Sequence, residues 1–127
     1  MTSYTQIAPS TKARTAVLGT LTVFAAGMLL LSGTLKLAGV PMMVEMFGHI
    51  GFGQWLRYLT GAIEVVGAIL LLVPSLARFG AVPLAATMFF AVLTHLFVLG
   101  GSPAPALMLL VATTSVGWLR WSEGRER

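Results

Sequence analysis

The run TAVLGTLTVFAAGMLLLSGTLKL, residues 15–37, decides the fold class. Its one charged side chain is Lys36, next to its end. About 20 apolar residues in a row are what a helix needs to cross the roughly 30 Å of bilayer hydrocarbon, and in lipid a helix satisfies its own backbone polar groups. The run is too long for the apolar part of a signal peptide, so it predicts a membrane crossing.

Beyond this run, the same pattern predicts crossings at about Trp55–Val73, Phe79–Leu99 and Ala106–Trp121. Pro74 and Ser75 end the second, and the Gly-Gly-Ser-Pro-Ala-Pro stretch at 100–105 separates the last two. After the first crossing, Gly39 suits a helix end and Pro41 a helix start. In Pro41–Ile50 the apolar Met42, Met43, Met46, Phe47 and Ile50 recur at helical spacing, with Glu45 and His49 four apart on the other side. The expected architecture is therefore all-α, an integral membrane antiparallel four-helix bundle with a short amphipathic interfacial helix between the first two crossings. Residues 15–121 form the membrane domain, and residues 1–14 and 122–127 read as tails. With connectors on alternating sides, Lys12, Arg14, Arg78, Arg120, Arg125 and Arg127 fall together, which places both tails in the cytoplasm and the chain in the cell inner membrane.

Composition agrees and excludes several function classes. Hydrophobic residues make up 57% and charged residues 9%, with mean hydropathy +0.89, values that rule out a soluble globular core. The net charge of +4 is accounted for by topology, so no nucleic acid partner is expected. With no cysteine there is no disulfide, thiolate metal site, cysteine nucleophile or thiol relay to a quinone.

Ionisable groups inside crossings cost about 2.5–3.5 kcal/mol each at the bilayer centre, so the few present are informative. Lys36 ends the first crossing, Arg57 starts the second, Glu64 lies two turns deeper, and His95 is near the end of the third. All four belong to one leaflet, the outer one. Arg57 and Glu64 share a helix face, about 10 Å apart along it, so the long Arg side chain is expected to reach toward the carboxylate. Stripes of small and polar residues mark interior faces: Thr22, Ala25, Leu29, Ser32, Gly33 and Lys36 on the first crossing, and Gly80, Thr87, Ala91, Thr94 and His95 on the third. The expectation is a polar chamber where Lys36, Glu64 and His95 converge, lined also by Arg57, Ser32 and Thr60. The Pro41–Ile50 segment forms its lid, carrying Glu45 and His49. The competing reading is that two cations and two anions form ion pairs that only hold helix register. No metal is expected, a haem between His49 and His95 lacks a matching geometry, and the methionine row suits adaptable packing.

Three segments carry a resemblance: Leu31-Ser-Gly-Thr-Leu-Lys36-Leu, then Trp55-Leu-Arg57 with Thr60-Gly-Ala-Ile-Glu64-Val-Val-Gly-Ala, then Ala91-Val-Leu-Thr-His95. Together they resemble the DoxX-like family over about Thr15–Trp121. The resemblance implies a compact four-helix membrane bundle. Relatives are linked to thiosulfate oxidation with a quinone acceptor, to membrane oxidoreductase assemblies and, in animals, to receptor assembly. The resulting expectation is a quinone-associated redox or ligand-binding subunit, in which Glu64 exchanges a proton while His95 and Lys36 hydrogen-bond the head group. Its partners would be the lipid bilayer, a lipid-soluble quinone, and a membrane or peripheral redox protein or a second copy of the chain; no covalently bound cofactor is expected. The alternative is a non-catalytic assembly or accessory subunit of a larger membrane complex that uses its small-residue faces. A transporter fits less well, since the polar groups occupy one leaflet.

Overall fold

A computed structural model of the chain describes residues 11–125, all of whose regular structure is helical. The elements are α1 (Thr11–Ala38), α2 (Pro41–Ile50), α3 (Trp55–Leu72), α4 (Ala77–Thr94) with a π-helical turn at His95–Leu99, and α5 (Ala104–Arg125). Two expected tail segments differ. Thr11–Arg14 already form the first turn of α1, and Ser122–Arg125 the last turn of α5. A polar segment extends a helix readily when its backbone bonds continue those of an existing turn. The rest of both tails lies outside the described residues.

The breaks follow local chemistry. Gly39 and Gly51 hold positive φ of 69° and 86°, and the Gly51 N–H donates to the Phe47 carbonyl to close α2. Pro41 sits in the first turn of α2, where its missing N–H costs nothing. Pro83 lies inside α4, and Thr87 Oγ1 donates to the Pro83 carbonyl at 2.8 Å.

α1, α3 and α4 with its π turn are each long and apolar enough to cross a membrane. α5, expected as a fourth crossing, is not among them, because Thr113, Thr114, Ser115 and Arg120 dilute its apolar run. It nevertheless packs against α4 and α1, while α3 packs against α1 and α4, so these four helices close a ring. α2 lies across one end, against α3 and the π turn.

The packing is small inside and large outside. Ala25, Ala68, Ala77 and Ala81 are buried with Leu29, Leu71, Leu84 and Val116, whereas Val23, Phe79, Val82 and Phe90 face outward. In water such a surface would aggregate; in lipid it is solvated by acyl chains, and helix association relies on close backbone approach between small residues. Gly33 and Gly61 provide that approach between α1 and α3, and Gly67 and Gly80 between α3 and α4.

Candidate functional site

The Gly33–Gly61 crossing explains how a lysine and a glutamate from separate helices meet. An ideal Cβ at Gly33 would lie 2.8 Å from the Gly61 carbonyl oxygen and 3.0 Å from the Glu64 Cβ. With no side chain at either glycine, the Lys36 Nζ reaches both Glu64 oxygens, at 3.0 and 2.9 Å, and also donates to Ser32 Oγ at 2.6 Å. Glu64 is 1% exposed and the Lys36 side chain 12%. All three ammonium protons thus have acceptors inside the fold.

Arg57 departs from the expected reach toward Glu64. Its guanidinium is buried, donating from Nε to Gln54 Oε1 at 2.7 Å and from a terminal nitrogen to the Lys36 carbonyl. It also stacks over the Tyr58 ring, 4.3 Å from its centroid. A cation here meets the negative end of the α1 dipole and one of its last carbonyls, an acceptor closer than the carboxylate two turns away. Gln54, which the sequence reading passed over, completes the corner by donating from Nε2 to the Val44 carbonyl at 3.0 Å, tying α2 to α3. Arg57→Lys is expected to cost about 1.5–3 kcal/mol, because an ammonium cannot serve both acceptors with the same fork. Thermal unfolding in detergent checks this, and an unchanged midpoint would remove Arg57 from the corner.

A cavity of about 720 Å³ opens beside the pair, between α1, α3, α4, α5 and α2. Ser32, Lys36, Thr60, Glu64, Thr87, Thr94 and His95 all line it, but most of its wall is apolar, from Met43, Phe47, Ile63, Phe90, Leu109 and others. His95 shares the cavity without joining the ion pair. Its Nδ1 lies 3.4 Å from the Gly100 carbonyl oxygen, at the start of the π turn.

The lid behaves differently from its expected side chains. α2 covers the cavity with Met43, Met46, Phe47 and Ile50, whereas Glu45 and His49 face away, 78% and 70% exposed, with 4.0 Å between them. Apolar side chains of an amphipathic helix go toward the apolar space, so the charged face has to turn outward. Among the described residues no group of three His, Asp or Glu gathers closely enough to hold a metal ion.

The remaining hydrogen-bonding capacity is uneven. Thr60, Thr87 and Thr94 donate to the carbonyls of Leu56, Pro83 and Phe90, at 2.9, 2.8 and 2.8 Å, so each hydroxyl presents oxygen lone pairs rather than a proton. Together with Glu64 these make four acceptors on the wall, against two groups that can donate: the Ser32 hydroxyl, which accepts from Lys36 and keeps its own proton, and the His95 ring.

Comparison with known proteins adds one match. The sequence model of the DoxX-like family matches residues 20–117, most of the chain and all three lengths of sequence that carry the lining residues. No curated protein and no solved structure matches it.

Proposed function

The chain belongs to the DoxX-like family of membrane proteins, and from that premise we propose that it is a quinone-associated redox or ligand-binding subunit. In this reading it is an antiparallel four-helix membrane bundle with a basic cytoplasmic end in the cell inner membrane, and the cavity beside Glu64 takes the head of a lipid-soluble quinone. The observation that carries the reading is the Lys36–Glu64 pair lining a mainly apolar cavity of about 720 Å³. That volume falls within the common range of small-molecule pockets, and the pair's formal charges cancel, which suits a neutral ligand.

A quinone held there would supply two-electron chemistry, its reduction to a quinol needing two electrons from a partner oxidoreductase and two protons. The chain's own residues then have distinct tasks. Glu64 accepts a hydrogen bond from a hydroxyl of the quinol form and would exchange that hydroxyl's proton; His95 would hold the other end of the head group; the apolar faces of α2 and α4 exclude water. Lys36, whose protons are already accepted by Ser32 and Glu64, holds the carboxylate in place rather than binding a carbonyl oxygen directly.

Because the wall offers more acceptors than donors, the hydroxyl-bearing quinol should bind more tightly than the quinone, by roughly tenfold for one hydrogen bond to a charged acceptor. Titrating a short-tailed benzoquinol and its benzoquinone into nanodisc-embedded protein tests this. Glu64→Gln should erase the preference, and Thr87→Val should weaken quinol binding while leaving the ion pair in place. Equal binding of both forms to all three proteins, or no binding, would sink the proposal.

One observation favours a second reading, a non-catalytic accessory subunit. The ion pair saturates Lys36 and lies on the tightest helix crossing of α1, as a register staple would. Under that reading Glu64→Gln changes recovery of a membrane complex and leaves quinol binding untouched.

A further inference from the structure

At the opposite end from the cavity, where α4 begins and α5 ends, a groove of about 390 Å³ runs between the two helices. Its floor is small and apolar, from Ala81, Ala85 and Gly117, and its rim carries Arg78, Arg125 and Trp118. The Arg78 guanidinium lies against two rings, 5.0 Å from the centroid of Phe79 and 5.7 Å from that of Trp121. Among the described residues neither Arg78 nor Arg125 has a carboxylate partner. Each described carboxylate is engaged elsewhere: Glu64 with Lys36, Glu45 near His49, and Glu123 with Arg120 at 3.0 Å.

We propose that this groove binds the head group of an acidic phospholipid, with the phosphate between Arg78 and Arg125 and an acyl chain along Val82 and Trp118. Three features select this ligand. Two arginines whose donors are uncommitted among the described residues suit a phosphate diester, which accepts planar, forked hydrogen bonds. Arg78 and Arg125 put two positive charges on the rim, so charge complementarity favours a head group with net negative charge. Val82 and Trp118, 65% and 74% exposed, open the side of the groove to the hydrocarbon, and tryptophan belongs at the depth where chains meet head groups. A free phosphate ion would leave that apolar side unused.

The test is native mass spectrometry of the full chain, released from mixed phosphatidylglycerol and phosphatidylcholine of identical acyl chains. The wild-type protein should retain phosphatidylglycerol preferentially. Arg125→Gln, at the exposed end of α5 and harmless to folding, should lower that retention about fivefold, and Arg78→Gln with Arg125→Gln roughly thirtyfold. Lys12→Gln, a cation at the same end of α1 that does not line the groove, should change it less than twofold. Equal retention of the two lipids, unchanged retention in Arg125→Gln, or an equal loss in Lys12→Gln would each overturn the site. Displacement of the lipid by millimolar inorganic phosphate would replace it with a free-anion site.

Discussion

Lys36→Met is expected to destabilise the protein by about 3–5 kcal/mol, and adding Glu64→Leu to the same chain should restore most of that loss. The single substitution leaves the carboxylate of Glu64, 1% exposed, without the ammonium that now meets both its oxygens at 2.9–3.0 Å. The double substitution removes the charge as well as its partner, and a leucine of similar bulk keeps the α1–α3 contact filled. Thermal unfolding in one detergent, run on both single variants and the double, measures the coupling between the two sites. Additive losses would mean that the pair is not the unit the geometry describes. The same set separates stability from ligand binding: a double variant as stable as wild type that no longer distinguishes quinol from quinone assigns the pair to the cavity.

The second large effect is steric. An ideal Cβ at Gly80 would stand 2.5 Å from the Gly67 carbonyl oxygen and 2.9 Å from the Leu70 Cβ, atoms that cannot swing aside. Gly80→Ala should therefore force α3 and α4 apart at a cost of about 3 kcal/mol, the upper part of the range for overpacking. Gly80→Leu should prevent recovery of a folded protein. Gly27, whose added Cβ meets nothing within 4 Å, supplies the contrast. Gly27→Ala should be neutral or gain up to about 1 kcal/mol from helix propensity. If the two alanine variants unfold at the same temperature, the close approach of α3 and α4 is not limiting.

Much of the architecture was legible along the chain. Apolar length announced α1, α3 and α4, glycine and proline placed the breaks within a few residues, and helical spacing separated the two faces of α2. The interior stripe of α1 was also legible, since Thr22, Ala25, Leu29 and Gly33 are all buried. These properties are local: hydropathy and a 3.6-residue period depend only on neighbours in sequence.

Partner choice was not legible in the same way. Arg57 and Glu64 share a helix face, and sequence spacing invited a contact between them, yet the guanidinium goes to Gln54 and to the Lys36 carbonyl. A backbone carbonyl at a helix end is present whatever residue carries it, so no letter in the sequence advertises that acceptor. His95 begins a π-helical turn that its composition does not foretell. Residue order alone was enough for a helical membrane chain whose ionisable groups inside the crossings lie toward one end. That Lys36 and Glu64 meet beside a mainly apolar cavity came from the packing, because it depends on how closely Gly33 and Gly61 let two backbones approach, and distance between helices is a property of the packed helices together.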